Sequence, residues 1–267
     1  MSLTLDKFAD WNARMALACR AIGQPEFPAQ LTDCLNLLID FQICMTFAYD
    51  KTDHVQCLDH NMLKPKADIV VQDYLQGPYL LDPFFYEVKR GRVEGCCVLS
   101  EISPDRFYSS EYFKHHYART GIGDELGIFF PISEAQTAVI SLTRPNRKHR
   151  FTLTERKRIR AVAPMVETAA RQHYRTVSNT TLVRSVHMST RKLIENGLEA
   201  FGEELLTPRE AQIMSFVLKG HSSNSISSRL EISLGTVKIH RKNAYTKLCI
   251  SSQAELFSIF LSSISST

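Results

Sequence analysis

The stretch from Leu206 to Leu248, LTPREAQIMSFVLKGHSSNSISSRLEISLGTVKIHRKNAYTKL, limits the possible folds of this chain more than any other. It divides into three short helical runs, and the third has two chemically opposite faces. At about 100° per residue, Val237, Ala244 and Leu248 fall on one side, and Lys238, Ile239, Lys242, Asn243 and Thr246 on the other. The apolar side suits docking on neighbouring helices. The other side combines ammonium groups, an amide, a hydroxyl and an aliphatic side chain, a mixture suited to base edges and phosphates in a DNA major groove.

The flanking signals agree. Thr207, Pro208 and Glu210 spell a capping box with proline at the first helical position. Ile213, Met214, Phe216 and Val217 form a buried stripe, and Gly220 ends the helix. Ser222 is the expected cap of a second helix bearing Ile226 and Leu230. Ile232 and Ser233 form the turn, with Ser233 capping the third helix. Ser252 and Glu255 repeat the box before a last helix with Leu256, Ile259 and Phe260. Four helices in about sixty residues make a complete small domain.

These residues resemble the helix-turn-helix domain of LuxR-type bacterial transcription regulators. The resemblance is carried by Leu206–Glu210, Gly220, Ile226, Leu230, Ile232-Ser233, Gly235–Lys238, His240 and Lys247-Leu248. It implies double-stranded DNA as partner, with Lys238, Ile239 and Lys242 at base edges and Ser233, Thr236 and His240 at phosphates. It also implies that the helix after Ser252 pairs two subunits into a homodimer, and that RNA polymerase is the machinery addressed. One departure is the serine-rich second helix, with Ser225 and Ser227 where relatives carry an acid and an alanine. Serine is a poorer helix former. Region four of a sigma factor shares much of the pattern and stands as an alternative reading.

Charge has the same address. From Leu205 onward seven cations face three acids, a balance of +4 equal to that of the whole chain, so the first 204 residues are neutral. A polyanionic partner is therefore expected for the C-terminal part alone. No apolar run approaches the ~20 residues of a membrane span. The N-terminus lacks a basic start followed by an apolar core, and a cytoplasmic protein is expected. Seven scattered cysteines (19, 34, 44, 57, 96, 97 and 249) without zinc spacing read as reduced thiols.

The remaining chain reads as an α/β domain. Helical stripes are expected over Ser2–Ile22, Ala29–Asp40, Pro65–Leu75, Pro83–Arg90 and Ser109–Arg119. Strands are expected over Ile43–Tyr49, His54–Asp59, Val93–Leu99, Glu125–Pro131 and Ala138–Thr143, and a long helix from Thr154 through Val177. The arginines from Arg144 to Arg160 are read as solvated on a loop and a helix face. The fold class expected is an α/β sensor domain, an antiparallel sheet flanked by helices, followed by an all-α four-helix domain. The boundaries are 1–177 for the sensor, 178–204 for a linker and 205–267 for the DNA-binding domain.

Such a sheet is the plan of PAS- and GAF-like sensors, and LuxR-type quorum regulators place an acyl-homoserine-lactone pocket at this position. Asp82-Pro83, with Tyr74 and Tyr79 upstream, is similar to the acidic-proline motif of those receptors, which makes Tyr74 and Asp82 candidate ligand contacts. Their pockets are walled by nearby tryptophans, however, and the single tryptophan here is Trp11. A different small-molecule effector is therefore expected. Asp before Pro is equally a common helix start. No Walker loop, GxGxxG, GxSxG or HExxH occurs; no catalytic, metal or cofactor residues are assigned. An enzymatic first domain joined to a DNA-binding tail is the alternative of another class.

Overall fold

The computed structural model describes residues 5–50, 54–145, 150–181 and 205–265. Five strands form one antiparallel sheet: β1 (Ile43–Asp50), β2 (Val55–His60), β3 (Gly95–Val98), β4 (Asp124–Pro131) and β5 (Gln136–Arg144), in the order β2-β1-β5-β4-β3. All five expected strands are present. The three central ones, β1, β5 and β4, are buried along nearly their whole length, whereas β2 at one edge is largely half-exposed. Runs such as Ala138–Ile140 and Ile128–Phe130 therefore read as continuously apolar rather than alternating.

By packing, the chain forms two compact units. The first holds the sheet, α1 (Leu5–Arg20), α2 (Phe27–Asn36) and α4 (Leu153–Thr181). One face of the sheet, with Ala48, Leu126, Ile128, Phe130, Ile140 and Leu142, packs on Trp11, Met15, Phe27, Leu31, Leu35, Val166 and Ala170. Of the stripe expected in the first helix, Trp11 and Met15 join this core while Leu5 and Phe8 are exposed; Leu31, Leu35 and Leu38 of the second stripe all lie in it. All seven cysteines are free thiols. Burial pushes Cys34, Cys44, Cys57 and Cys97 up to about 12, which leaves them protonated and poorly reactive.

The arginines from the end of β5 onward are not merely solvated. Arg144 is buried; its guanidinium donates to the Asp40 carbonyl (2.6 Å), the Arg150 carbonyl (3.3 Å) and Glu155 (2.5 and 3.3 Å), and lies 4.2 Å over the Phe151 ring. Arg156 donates to the Phe151 carbonyl, Arg158 to the Leu38 carbonyl, and Arg160 to both oxygens of Glu101. These side chains tie α4 to the rest of its unit. Charge counting on the sequence could not separate such anchors from a solvated face.

His173, on α4, illustrates a buried imidazole used as an acceptor. Its Nδ1 accepts the Gly23 N–H at 3.1 Å and its ring stacks 4.2 Å from Phe27. Burial lowers its pKa to about 4. Between the ordinary value of 6.5 and about 4, the unfolded chain binds a proton that the folded chain refuses. This contribution to stability is thus complete above pH 6.5 and is lost as pH falls toward 4, at roughly 1.4 kcal/mol per unit. Denaturant melts of wild type and His173→Gln should therefore converge on acidification through that window. Parallel curves would show that His173 is protonated in the fold.

The second unit gathers residues 70–86, 103–120 and the C-terminal helices. Short helical segments span Asp73–Leu75 and Pro78–Leu81, followed by α3 (Pro83–Lys89). The expected helix Ser109–Arg119 is broken at its start. A 3-10 turn covers Phe107–Ser109, and Ser110 Oγ then accepts the Phe113 N–H (3.1 Å) to open a wider π-type coil over Phe113–Tyr117. The C-terminal helices are α5 (Pro208–Leu218), α6 (Ser223–Leu230), α7 (Leu234–Lys247) and α8 (Gln253–Ser265). Most of the expected linker, residues 182–204, lies outside the described residues, and 178–181 belong to α4. Among the described residues no helix is long and apolar enough to cross a membrane.

Candidate nucleic-acid interface and sensor cluster

Local chemistry sets each helix of the C-terminal domain. Thr207 and Glu210 form the reciprocal capping box: Thr207 Oγ1 accepts the Glu210 N–H and Glu210 Oε2 accepts the Thr207 N–H at 2.8 Å. Gly220, at φ 91°, ends α5 in a Schellman arrangement, with His221 N bonded to Phe216 O and Gly220 N to Val217 O. Serines that weaken α6 by propensity are used locally. Ser222 caps it, Ser227 and Ser228 donate to the Asn224 carbonyl, and Ser225 Oγ meets His221 Nδ1 at 3.0 Å. The turn to α7 pivots on Glu231, held left-handed at φ 53°. At α8, Ser252 Oγ accepts the Glu255 N–H as expected, but the Glu255 carboxylate takes the N–H of Ser251.

Helix α7 shows both faces read from the sequence. Val237 and Ala244 are fully buried, while Lys238, Lys242 and Asn243 are exposed and Ile239 is 61 % exposed. This aliphatic side chain is thus held in water between two lysines. Ser233 Oγ accepts the Thr236 N–H (3.0 Å) and lies 2.8 Å from Thr236 Oγ1, so both hydroxyls sit together at the N-terminus of α7. His240 is half-buried.

The structure also separates cations that hold the domain from those that face outward. Lys247 Nζ lies 2.7 Å from Glu210, whose carboxyl it holds below the usual range. Arg209 donates to the Leu230 carbonyl, and Arg241 donates to Ser223 Oγ while lying over the Tyr245 ring. Helices α5, α6 and α7 are thereby tied together. These tertiary contacts carried no sequence signal, because the partners are 18 to 37 residues apart.

The two sensor candidates come together. Asp82 is buried, with 4 % exposure; its Oδ2 accepts the Tyr74 hydroxyl at 2.6 Å and its Oδ1 the Phe84 N–H at 2.8 Å, which makes it also the cap of α3. Burial raises its pKa to about 6 despite these two bonds. Around the pair stand Tyr79, 6.1 Å from Tyr74, and His116, 5.5 Å from Tyr74 and stacked on Tyr112 at 5.5 Å. Burial and the charge of Arg119 lower His116 to about 4, so its imidazole is neutral. From the sequence, His115-His116 reads as a poor metal or catalytic pair, since adjacent helix positions point apart; the spacing of four between Tyr112 and His116 was the signal that could have joined these two.

Comparison with known proteins matches the capped, basic α5–α8 region to the model "Bacterial regulatory proteins, luxR family" over residues 204–260. An HTH-type transcriptional regulator from the exeN 3′ region of Aeromonas salmonicida is 33 % identical over 184 residues, covering 67 % of this chain and 93 % of that protein. The chain belongs to the LuxR family of bacterial regulatory proteins. Similarity within the family extends beyond the DNA-binding domain. The monoamine regulon transcriptional regulator of Klebsiella aerogenes is 28 % identical over 206 residues, covering 74 % of this chain and 79 % of that one. The crystal structure of the VqsR LBD domain from Pseudomonas aeruginosa matches with a TM-score of 0.56 at 20 % identity, over 62 % of this chain and 98 % of that one. The five-stranded sheet and its helices therefore share the fold of that domain, narrowing the PAS- or GAF-like expectation.

Proposed function

We propose that this LuxR-family chain is a ligand-responsive transcriptional regulator, with a sensor over residues 1–177, a linker over 178–204 and a DNA-binding domain over 205–267. As a homodimer it binds a two-fold related site, with α8 pairing the subunits. Lys238, Ile239 and Lys242 read base edges, and Ser233, Thr236 and His240 meet phosphates. The observation that carries this reading is the exposure of Ile239 between two exposed lysines on a helix whose opposite face is fully buried. The protein acts by binding, without a catalytic step, and RNA polymerase is the machinery it addresses.

The effector is a small molecule that presents a hydrogen-bond donor to Asp82, with Tyr74 alongside. Support comes from the enclosure of this carboxylate among aromatic rings in a chain whose relatives include a monoamine-regulon regulator. Thermal melts of the full chain against primary amines and acyl-homoserine lactones test it. A ligand at 100 times its Kd stabilises by about 2.7 kcal/mol, and Asp82→Asn, which keeps a capping side chain, should abolish the shift. A shift surviving in Asp82→Asn would move the site elsewhere. Cooperative melts unmoved by any compound would overturn small-molecule control.

A further inference from the structure

Along α7 most polar side chains are bonded within the domain. Ser233 pairs with Thr236, Arg241 donates to Ser223 Oγ, Thr246 Oγ1 donates to the Lys242 carbonyl, and Lys247 pairs with Glu210. Asn243 is different. It is exposed, and among the described residues its side-chain amide makes no hydrogen bond. Asparagine is a poor helix former, so inside α7 it weakens the helix with no local bond to offset this.

Gly235 shows the same imbalance. It is exposed in the first turn of α7, where glycine weakens a helix more than any residue but proline. The fold leaves room for a side chain: among the described residues, a Cβ there would meet only Ser233 Oγ, at 3.5 Å, an ordinary contact. Gly235, the 61 % exposed Ile239 and Asn243 stand at intervals of four and so form one ridge. At about 100° per residue from the buried Val237, they fall at about 160°, 200° and 240°, centred opposite it. The ridge runs about 12 Å along the helix, the reach of three to four base pairs.

We infer that this ridge is the centre of the DNA contact and that Asn243 is a further specificity-determining residue, one that reads adenine. The inference rests on the C-terminal domain binding DNA. A planar amide offers a donor and an acceptor side by side. Its NH2 donates to adenine N7 while its oxygen accepts a hydrogen of adenine N6. Guanine presents two acceptors at that edge, and its O6 would oppose the amide oxygen. One turn back, Ile239 packs on a thymine methyl, and Gly235 lets the ridge approach the base edges with no side chain between. Lys238 and Lys242 can only donate, which suits the acceptors of guanine. Each half-site therefore carries A·T pairs at the positions met by Asn243 and Ile239.

The test uses the full chain and the duplex it selects from a random-sequence pool. Replacing one adenine by 7-deazaadenine removes the N7 acceptor and leaves base pairing intact. Wild type should lose about 5- to 150-fold in affinity at one such position of each half-site. Asn243→Ala should bind the unmodified duplex more weakly, accept other base pairs at that position, and be indifferent to the deaza replacement. It should melt no lower than wild type, because alanine is the better helix former. Gly235→Leu should also melt no lower, yet weaken binding to every duplex. Equal sensitivity of Asn243→Ala and wild type to every 7-deazaadenine would overturn the adenine reading, as would a uniform loss over all duplexes. A lower melt of Asn243→Ala would make the residue a structural one. Unaltered binding by Gly235→Leu would place the ridge clear of the groove. Enrichment of no duplex by wild type would sink the DNA-binding reading itself, and the ridge with it.

Discussion

Arg144→Ala is expected to destabilise the sheet-bearing unit by about 3–5 kcal/mol, the usual effect of removing one partner of a buried ion pair. Arg144 joins the end of β5 to the start of α4, and its guanidinium bonds Asp40 O, Arg150 O and both Glu155 oxygens. Alanine leaves two carbonyls without this donor and Glu155 without its cation. Burial would raise the Glu155 pKa, but bonds from Arg144 and Thr152 hold it below its ordinary 4.5. The stabilisation they represent is present above pH 4.5 and fades as pH falls below it. The check is a denaturant melt at pH 7 and a thermal melt, with a fall on the order of 10 °C. Arg144→Lys should recover only part, because an ammonium cannot match the forked geometry. A loss within about 0.5 kcal/mol, typical of surface substitutions, would show that the cluster is only a surface feature.

The second large effect concerns DNA. Lys242→Ala should weaken binding to the preferred site by ~1–3 kcal/mol, about 5- to 150-fold, and relax discrimination among site variants. Lys242 is exposed on α7 beside Ile239 and makes no ion pair among the described residues, so its removal leaves the fold intact. Replacing His240 should instead weaken binding to all duplexes alike, as loss of a phosphate contact does. Selection of preferred sites from a random-sequence pool, followed by titration of both variants, separates the outcomes. Unchanged affinity and site preference in Lys242→Ala would mean that α7 presents another face.

The legibility of the chain varied with the range of its interactions. Caps at Thr207, Ser222 and Ser233, the glycine end of α5 and both faces of α7 were readable because the deciding groups lie within four residues of one another. Strand positions were readable from apolar runs, with ends off by one or two residues. The break at Ser110 was not, since an uninterrupted helical pattern conceals a serine that bonds its own turn. Asp82 was legible as a cap and stood with Tyr74 as a candidate ligand contact; the structure shows that one carboxylate bonds both Phe84 and Tyr74.

By itself, the sequence determined the family, the order and type of most elements, and the outward face of α7. Each of these follows from local backbone chemistry and hydrophobic period. Only the tertiary structure decided which charges are structural. Arg144, Arg241 and Lys247 are anchors because partners distant in the chain arrive beside them, whereas Lys238 and Lys242 stay exposed. It alone brought His116 and Tyr112 to the Tyr74–Asp82 pair and seated Gly220 on Phe107. The physical reason is common to all of these. A side chain's type is written at its own position, but its partner, and hence its role, is set by packing between residues far apart in the chain.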